Sequence, residues 1–435
     1  MATLMESISG LRGVYGSGIN SDYAFKVACR FAGWLGSSDV VVGMDTRDSS
    51  LVLSKAILSG LMHGGCNPLW AGFTTTPELF RHVKRESLKA GVMVTASHNP
   101  KEWNGIKLIK SGRGVFEEEL ESILSSDCTI SHFGQPMVTD TVRYFDEVLA
   151  VLGRRGVSGL KVALDLGGGS ACYHVPSLFR DTGVDVVVIN GTPGIFCRTI
   201  DPTQDELVQL RRIVTSEGCD VGFAFDCDGD RLQVVDGSGH KLPPDFALFV
   251  YVNRLKSGEK VALSVDTSDV VFEAAKKVGA ETVIAPVGEA NVVRAIIKDN
   301  CKLGGEGSSA GVIDPSFSLC RDGLLAAMGI LAEISKKGKL ELDSFKNRYT
   351  LRTKLEIERR IIPKILELFL KEHPDALTLD GIKYRTDEGW VLLRPSRTED
   401  VLRVSIESSS EAKALRYAEH VKNKISKLGG KLILG

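Results

Sequence analysis

The stretch DVVVGMDTRDSS, Asp39 to Ser50, decides the fold. A β-branched, strand-like run ends at an aspartate, a small polar loop follows, and a helix-like segment begins. The same order returns in LKVALDLGGGS, Leu160 to Ser170, and in EKVALSVDTSD, Glu259 to Asp269. Each time the helix-like segment closes near glycine and a new apolar strand follows: GGCNPLWAG from Gly64, TGVDVVVING from Thr182 and VGAETVIAPVG from Val278. Strand, helix, strand is a βαβ unit, which sandwiches parallel strands between helices. Three copies, roughly a hundred residues apart, predict three related α/β domains in tandem.

The last stretch breaks the pattern. IIPKILELFLKEHP has apolar residues at helical spacing, GWVLLRPSRTEDVLRVSIES reads as two strands around a polar loop, and SSEAKALRYAEHVKNKISKLGG closes as a helix. This predicts a smaller α+β domain. The expected domains are 1–140, 141–240, 241–350 and 351–435.

The composition of the 435 residues is ordinarily globular, 43% hydrophobic and 25% charged. Lys plus Arg is 54 against 55 Asp plus Glu, so the near-neutral balance gives no reason to expect nucleic acid or a membrane surface as partner. Nine cysteines are scattered with no C-x-x-C, which argues against a disulfide framework or a zinc site and for reduced thiols. The start, MATLMESISGLRG, has no apolar signal-peptide core, and no apolar run approaches the ~20 residues of a membrane span. A soluble cytoplasmic protein is expected; oligomeric state is left open.

Five stretches carry candidate chemistry. In GVMVTASHNPKEWNGIKL, Gly91 to Leu108, a strand-like run stops at Ser97, followed by His98 and then by Lys107. The frame T-A-S-H-N is not the G-x-S-x-G of a nucleophile elbow, and on an extended chain His98 points away from Ser97, a poor position for its base. A helix cap is the plainer reading of such a serine. A serine that carries a phosphoryl group explains more, because that group, with nearly two negative charges, calls for a metal and cations nearby.

The metal candidate is VGFAFDCDGDRLQVVD, where Asp226, Asp228 and Asp230 alternate just past an apolar strand. Carboxylates so close repel one another unless a cation sits among them. An EF-hand fails, because Gly229 comes too early and Gly237 stands where the glutamate belongs. A short loop giving one oxygen per aspartate suits a single Mg²⁺, and a solvated turn is the alternative. Arg231 next door can grip an anion. LGGEGSSAGVIDP offers Glu306, Ser308 and Ser309 to sugar hydroxyls, although a flexible loop would read alike. RPSRTEDVLRV clusters Arg394, Ser396, Arg397, Thr398 and Arg403, which is phosphate-site chemistry or an ordinary polar hairpin. SGLRGVYG sets Arg12 between glycines. There is no G-x-x-x-x-G-K-S/T, and DLGGGSACYH lacks the dinucleotide register.

Together these stretches resemble the α-D-phosphohexomutase family, with GLRG, TASHNP, DCDGDR, GEGSSAG and RPSRTED in the family's order over nearly the whole chain. TASHNP and DCDGDR in one chain are the specific pair. The resemblance implies three related α/β domains and a smaller fourth around a central cleft. It implies that Ser97 is the phosphorylated serine and that it binds Mg²⁺ together with Asp226, Asp228 and Asp230. Lys107 and Arg12 match the basic residues beside the transferred phosphate, with Lys107 a candidate general acid/base, and His98 completes the candidate catalytic group. Arg231, Glu306, Ser308, Arg394, Ser396 and Thr398 match substrate-binding positions. The implied reaction interconverts hexose 6-phosphate and hexose 1-phosphate through a phosphoserine and a 1,6-bisphosphate, with hexose 1,6-bisphosphate as activator.

Three departures stand out. Ala310 replaces a histidine usual in the sugar loop, which archaeal-type members also lack. Arg397 stands where glycine or asparagine is usual, and Asp400 where proline is. Glucosamine phosphate is the first expected substrate, with mannose and glucose phosphates as alternatives. A metal-dependent sugar phosphatase and a non-catalytic sugar-phosphate binder are the more distant readings; the intact Ser97 and three aspartates speak against the binder.

Overall fold

The computed structural model describes residues 4–7, 10–128, 132–141, 143–152, 157–396 and 400–426. The three predicted units fold as three βαβ repeats of one strand order. In the first, Asp39–Met44 lies between Asn67–Phe73 and Ala90–Val94, parallel to both, and Trp103–Lys110 runs antiparallel beside Ala90–Val94. The second repeats this with Asp185–Ile189, Lys161–Asp165, Val221–Phe225 and the antiparallel Leu232–Asp236. The third repeats it with Glu281–Ala285, Lys260–Ser264, Leu303–Glu306 and Gly311–Ile313. The first sheet also carries Gly10–Val14, antiparallel to Trp103–Lys110, with Arg12 opposite Gly105.

The β-branched runs read from the sequence are the central strands, and Val40, Val41, Val42, Val162 and Val261 have no exposed surface. Burial on both faces explains their near-continuous hydrophobicity. Helix Thr76–Arg85 begins with a capping box: Thr75 accepts from the Glu78 N–H, and the Glu78 carboxylate accepts from the Thr75 N–H at 2.6 Å. One hydrophobic cluster spans the second and third repeats, from Phe223 through Phe246 to Leu325, while the first repeat has its own core around Phe31, Val42 and Ile57.

The C-terminal region is the predicted α+β unit. The read hairpin, Gly389–Pro395 with Val401–Ser408, is joined by Tyr349–Glu356 and Ile382–Thr386 in a four-stranded antiparallel sheet covered by helices Ile362–Glu372 and Glu411–Ser426. This sheet docks on the third repeat: Lys383 Nζ donates to Val265 O at 2.7 Å, and the Asp269 N–H to Glu407 Oε1 at 3.0 Å.

One expectation is corrected. Cys29 and Cys128, read as reduced thiols, form a disulfide, with Cα atoms 5.3 Å apart and a sequence separation of 99. Cys29 lies in helix Ser21–Leu35, and Cys128 follows helix Glu117–Ser125, which packs against it. Cys66, Cys219, Cys227, Cys301 and Cys320 are free and buried, as small hydrophobes. Among the described residues no helix is long and apolar enough to cross a membrane.

Candidate active site

The same hairpin loop supplies the site in all three repeats. It joins the third strand of the unit to the antiparallel fourth. In the first repeat it carries Ser97, in the second the three aspartates, and in the third Ser308 and Ser309, just after Glu306.

Ser97 is fully buried and adopts a left-handed conformation, φ 51°. Such a backbone is costly outside glycine and persists only when its surroundings impose it. They do here. Arg47 Nη2 donates to Ser97 O at 2.6 Å and Asn99 O at 2.8 Å, and Nη1 donates to Pro100 O at 2.6 Å. Arg47 Nε is held by Asp45 Oδ2 at 3.0 Å, both side chains being wholly buried. Asp45 also accepts from Thr95 Oγ1 at 2.7 Å, whose oxygen in turn accepts from the Ser97 N–H at 2.8 Å. The Ser97 hydroxyl is thereby aimed at Asp226 Oδ2, 2.9 Å away.

The left-handed turn also corrects the expectation for His98. The chain is not extended there, so the imidazole swings back and Nδ1 lies 3.4 Å from Ser97 Oγ. Nε2 lies 3.3 Å from Arg231 Nη2. A guanidinium only donates, so Nε2 accepts and the ring proton belongs on Nδ1, facing the hydroxyl. Burial, then the charges of Arg231, Arg12 and Arg321, hold the imidazole well below its ordinary pKa, hence neutral. In this state His98 is a donor to Ser97, not its base.

The aspartates bring their oxygens within 4.8 Å of one another, all three buried. Gly229, at φ 71°, supplies the left-handed turn that lets Asp228 and Asp230 face inward together. Burial, then the charges of Asp230 and Asp228, push the Asp226 carboxyl well above the usual range. Asp230 is held well below it, where Arg321, Lys107 and Arg231 overcome burial. Lys107, on strand Trp103–Lys110, donates to Asp228 Oδ2 at 2.8 Å and Asp230 Oδ2 at 3.0 Å. Burial works against its ammonium, but Asp228 and Asp230 overcome this and raise its pKa. Asp228 Oδ1 and Asp230 Oδ1 are buried with no hydrogen-bond partner. Acceptor-only oxygens left bare in the core, beside a carboxyl whose ionisation is opposed by burial and by its neighbours' charge, fit a hard divalent cation.

Arg12 donates to Ala96 O at 3.3 Å and Asn99 Oδ1 at 3.0 Å, on the same loop as Ser97. Arg231 pairs with Asp201 at 2.8 Å. Glu306 accepts from the Gly288 N–H at 2.8 Å and from Arg321 at 3.0 Å, and Ser308 is half-buried beside it. Arg394, the penultimate residue of its strand, lies 3.9 Å from Asp380, and the Ser396 N–H donates to Val401 O at 3.0 Å. Asp380 also accepts from the Val287 N–H at 3.0 Å, one residue before the amide that holds Glu306. Thr398 and Arg397 lie outside the described residues.

Sequence reading missed Asp45, Arg47, Asp201 and Arg321. The first two stood in the opening motif, where Asp45 was read as the strand's end and Arg47 as part of a small polar loop, neither with a role in the site. Arg321 precedes a helix in SLCRDGLL with no periodicity to mark it.

Comparison with known proteins agrees along the whole chain. Residues 6–144, 142–239 and 243–350 match phosphoglucomutase/phosphomannomutase alpha/beta/alpha domains I, II and III, and 353–424 match the C-terminal domain of that family. A probable phosphoglucosamine mutase of Methanosphaera stadtmanae is 31% identical over 98% of this chain and 97% of its own. A phosphoglucomutase/phosphomannomutase of Thermococcus kodakarensis is 33% identical over 94% and 96%. In fold, a Burkholderia thailandensis phosphoglucomutase/phosphomannomutase family protein superposes with a TM-score of 0.86 at 23% identity, covering 98% and 100% of the two chains. An Aspergillus fumigatus N-acetylphosphoglucosamine mutase, in complex with GlcNAc-6P and magnesium, does so at 0.61 and 14% identity, covering 98% and 96%. The named relatives are mutases, a class of isomerase. The chain belongs to the phosphoglucomutase/phosphomannomutase family.

Proposed function

We propose that this protein is a phosphohexomutase that interconverts hexose 6-phosphate and hexose 1-phosphate, with glucosamine phosphate as first substrate and Ser97 as phosphoryl carrier. The observation that carries this reading is the Ser97 hydroxyl, turned by a strained backbone onto an aspartate of a three-carboxylate cluster that has two bare buried oxygens. The choice of glucosamine phosphate is supported by the names of the archaeal relatives.

Asp226, Asp228 and Asp230, with the phosphate of Ser97, would hold one Mg²⁺. When bound, the ion neutralises charge on the transferred phosphoryl group. The chain's own groups do the rest. Arg47 and Asp45 fix the loop so that the serine oxygen meets the sugar at one position. Arg12 and Lys107 face that position with positive charge, where negative charge spreads during transfer. Lys107 is the candidate general acid/base; its pairing with Asp228 and Asp230 holds the proton tightly, so in this state it acts as a fixed positive charge. His98 donates to the serine oxygen without taking its proton. In the first half-reaction the bond from phosphorus to Ser97 Oγ breaks and one forms to the free sugar hydroxyl oxygen, whose proton passes to Ser97 Oγ, so that phosphoserine and sugar hydroxyl become serine hydroxyl and sugar phosphate. The bisphosphate then turns around and returns its other phosphoryl group to Ser97. Arg394, Ser396 and Thr398 would hold the phosphate that is not reacting, and Arg231, Glu306 and Ser308 the sugar. A hexose 1,6-bisphosphate is the expected activator, because it loads Ser97.

A coupled assay with glucosamine, mannose and glucose 6-phosphates, Mg²⁺ and a trace of hexose 1,6-bisphosphate tests this. Turnover by wild type that Ser97→Ala abolishes is the expected result. Steady release of inorganic phosphate without isomerisation would contradict it.

A further inference from the structure

A single guanidinium joins the metal loop to the sugar loop. Arg321 sits just before helix Gly323–Lys337, whose N-cap Asp322 accepts from the Leu325 N–H at 2.8 Å. The Arg321 side chain runs back across Gly311, so closely that a Cβ at that glycine would lie 2.2 Å from Arg321 Cδ. Only a residue without a side chain fits beneath it. Arg321 is 7% exposed. Nη2 donates to Asp230 Oδ2 at 2.9 Å, and Nη1 donates to Glu306 Oε2 at 3.0 Å and Ser309 Oγ at 3.3 Å. Nε lies 3.2 Å from Glu289 Oε2, which also accepts from the Arg321 N–H at 3.0 Å.

These contacts fix two carboxylates at once. Asp230 Oδ2 is shared by Lys107 and Arg321, which leaves Oδ1 as the bare oxygen. Glu306 has one oxygen on Arg321 and the other on the Gly288 N–H, so its plane is set too. A planar guanidinium does this with separate nitrogens in fixed directions; an ammonium, like that of Lys107 between Asp228 and Asp230, meets both carboxylates with one atom and sets no plane.

We propose that Arg321 is a positioning residue of the transfer reaction, orienting Asp230 toward the cation and Glu306 toward the sugar, so that metal binding and sugar recognition are coupled through one side chain. This rests on the mutase reading of the site. The coupling follows from charge shared across one cation. With both contacts made the guanidinium is fixed at the angle that presents Asp230, so loosening it at Glu306 loosens it at Asp230, and the reverse.

The test is calorimetric titration of Mn²⁺, as a probe for Mg²⁺, into unphosphorylated wild type, Arg321→Lys, Glu306→Gln and the double variant, with Tm recorded for each. Arg321→Lys keeps the charge and is expected to fold, with Mn²⁺ affinity reduced about tenfold and the KM for glucosamine 6-phosphate raised in parallel. Glu306→Gln is expected to weaken Mn²⁺ binding about threefold in the wild-type background and to change nothing in the Arg321→Lys background. A structural prop alone would lower Tm without that background dependence. Equal Mn²⁺ affinity in wild type and Arg321→Lys, or equal effects of Glu306→Gln in both backgrounds, would overturn the proposal. Should wild type turn over no hexose phosphate while the Mn²⁺ pattern holds, the mutase reading fails and the metal-to-Glu306 coupling stands.

Discussion

The two ends of the site are built on opposite plans. Around Ser97 the charges are paired inside the core: Asp45 and Arg47 have no exposed side-chain surface, and Lys107 is 7% exposed between two fully buried aspartates. In the C-terminal sheet the Arg394 side chain is 22% exposed and stands 3.9 Å from Asp380. The first arrangement costs desolvation and backbone strain, and what it yields is a hydroxyl at one fixed point. The second leaves a cation open to an incoming anion. The mutase reading proposed above uses both: transfer would happen at one atom, while the holding site would accept a phosphate from either end of the sugar.

The comparison can be broken from its strongest side first. Ser97→Ala is expected to lower kcat by at least about a thousandfold with little change in Tm, read by the coupled assay and a thermal melt. Arg47→Met leaves Asp45 buried without its partner and frees the loop carbonyls. Urea titration is expected to show a loss of about 3–5 kcal/mol, with activity falling alongside.

Glu78 extends the buried plan to pH. Burial pushes its carboxyl up to about 7 from an ordinary 4.5. The folded state therefore holds a proton that the unfolded state has released, and stability falls as pH rises through that window, by about 3 kcal/mol in all. Asp322, pushed by burial to about 6, acts in the same direction. Glu78→Gln keeps the capping box and is expected to flatten this slope in urea titrations between about pH 4.5 and 7. The smallest stability effect belongs to the open end: Arg394→Met is expected to change it by under about 1 kcal/mol, yet raise the KM for hexose phosphate about tenfold. A large loss of stability there would erase the contrast.

The repeated architecture was legible in sequence because each unit opens with the same strand, aspartate and helix. The equivalence of the three site loops was not. TASHN, DCDGD and GSSA have no residue common to all three in register, because each carries different chemistry on the same turn of the fold. Ser97 and the aspartates were legible as candidates because polar residues close an apolar, strand-like run, and Lys107 through the resemblance. Arg321 was not, because Asp230 and Glu306 reach it only through the packing of two repeats. Arg47 stood in the opening motif, but its carbonyl partners lie about fifty positions away. The Cys29–Cys128 bridge was hidden for the same reason, since spacing says nothing about helices that meet in space.

The central claim is that Ser97 carries the phosphoryl group. Intact-mass and peptide analysis of the protein after incubation with glucose 1,6-bisphosphate and Mg²⁺ tests it most directly. The account predicts one added phosphoryl group on the peptide holding Ser97, discharged by glucosamine 6-phosphate with formation of the bisphosphate. A protein that turns over hexose phosphates while its label sits elsewhere, or nowhere, would contradict it.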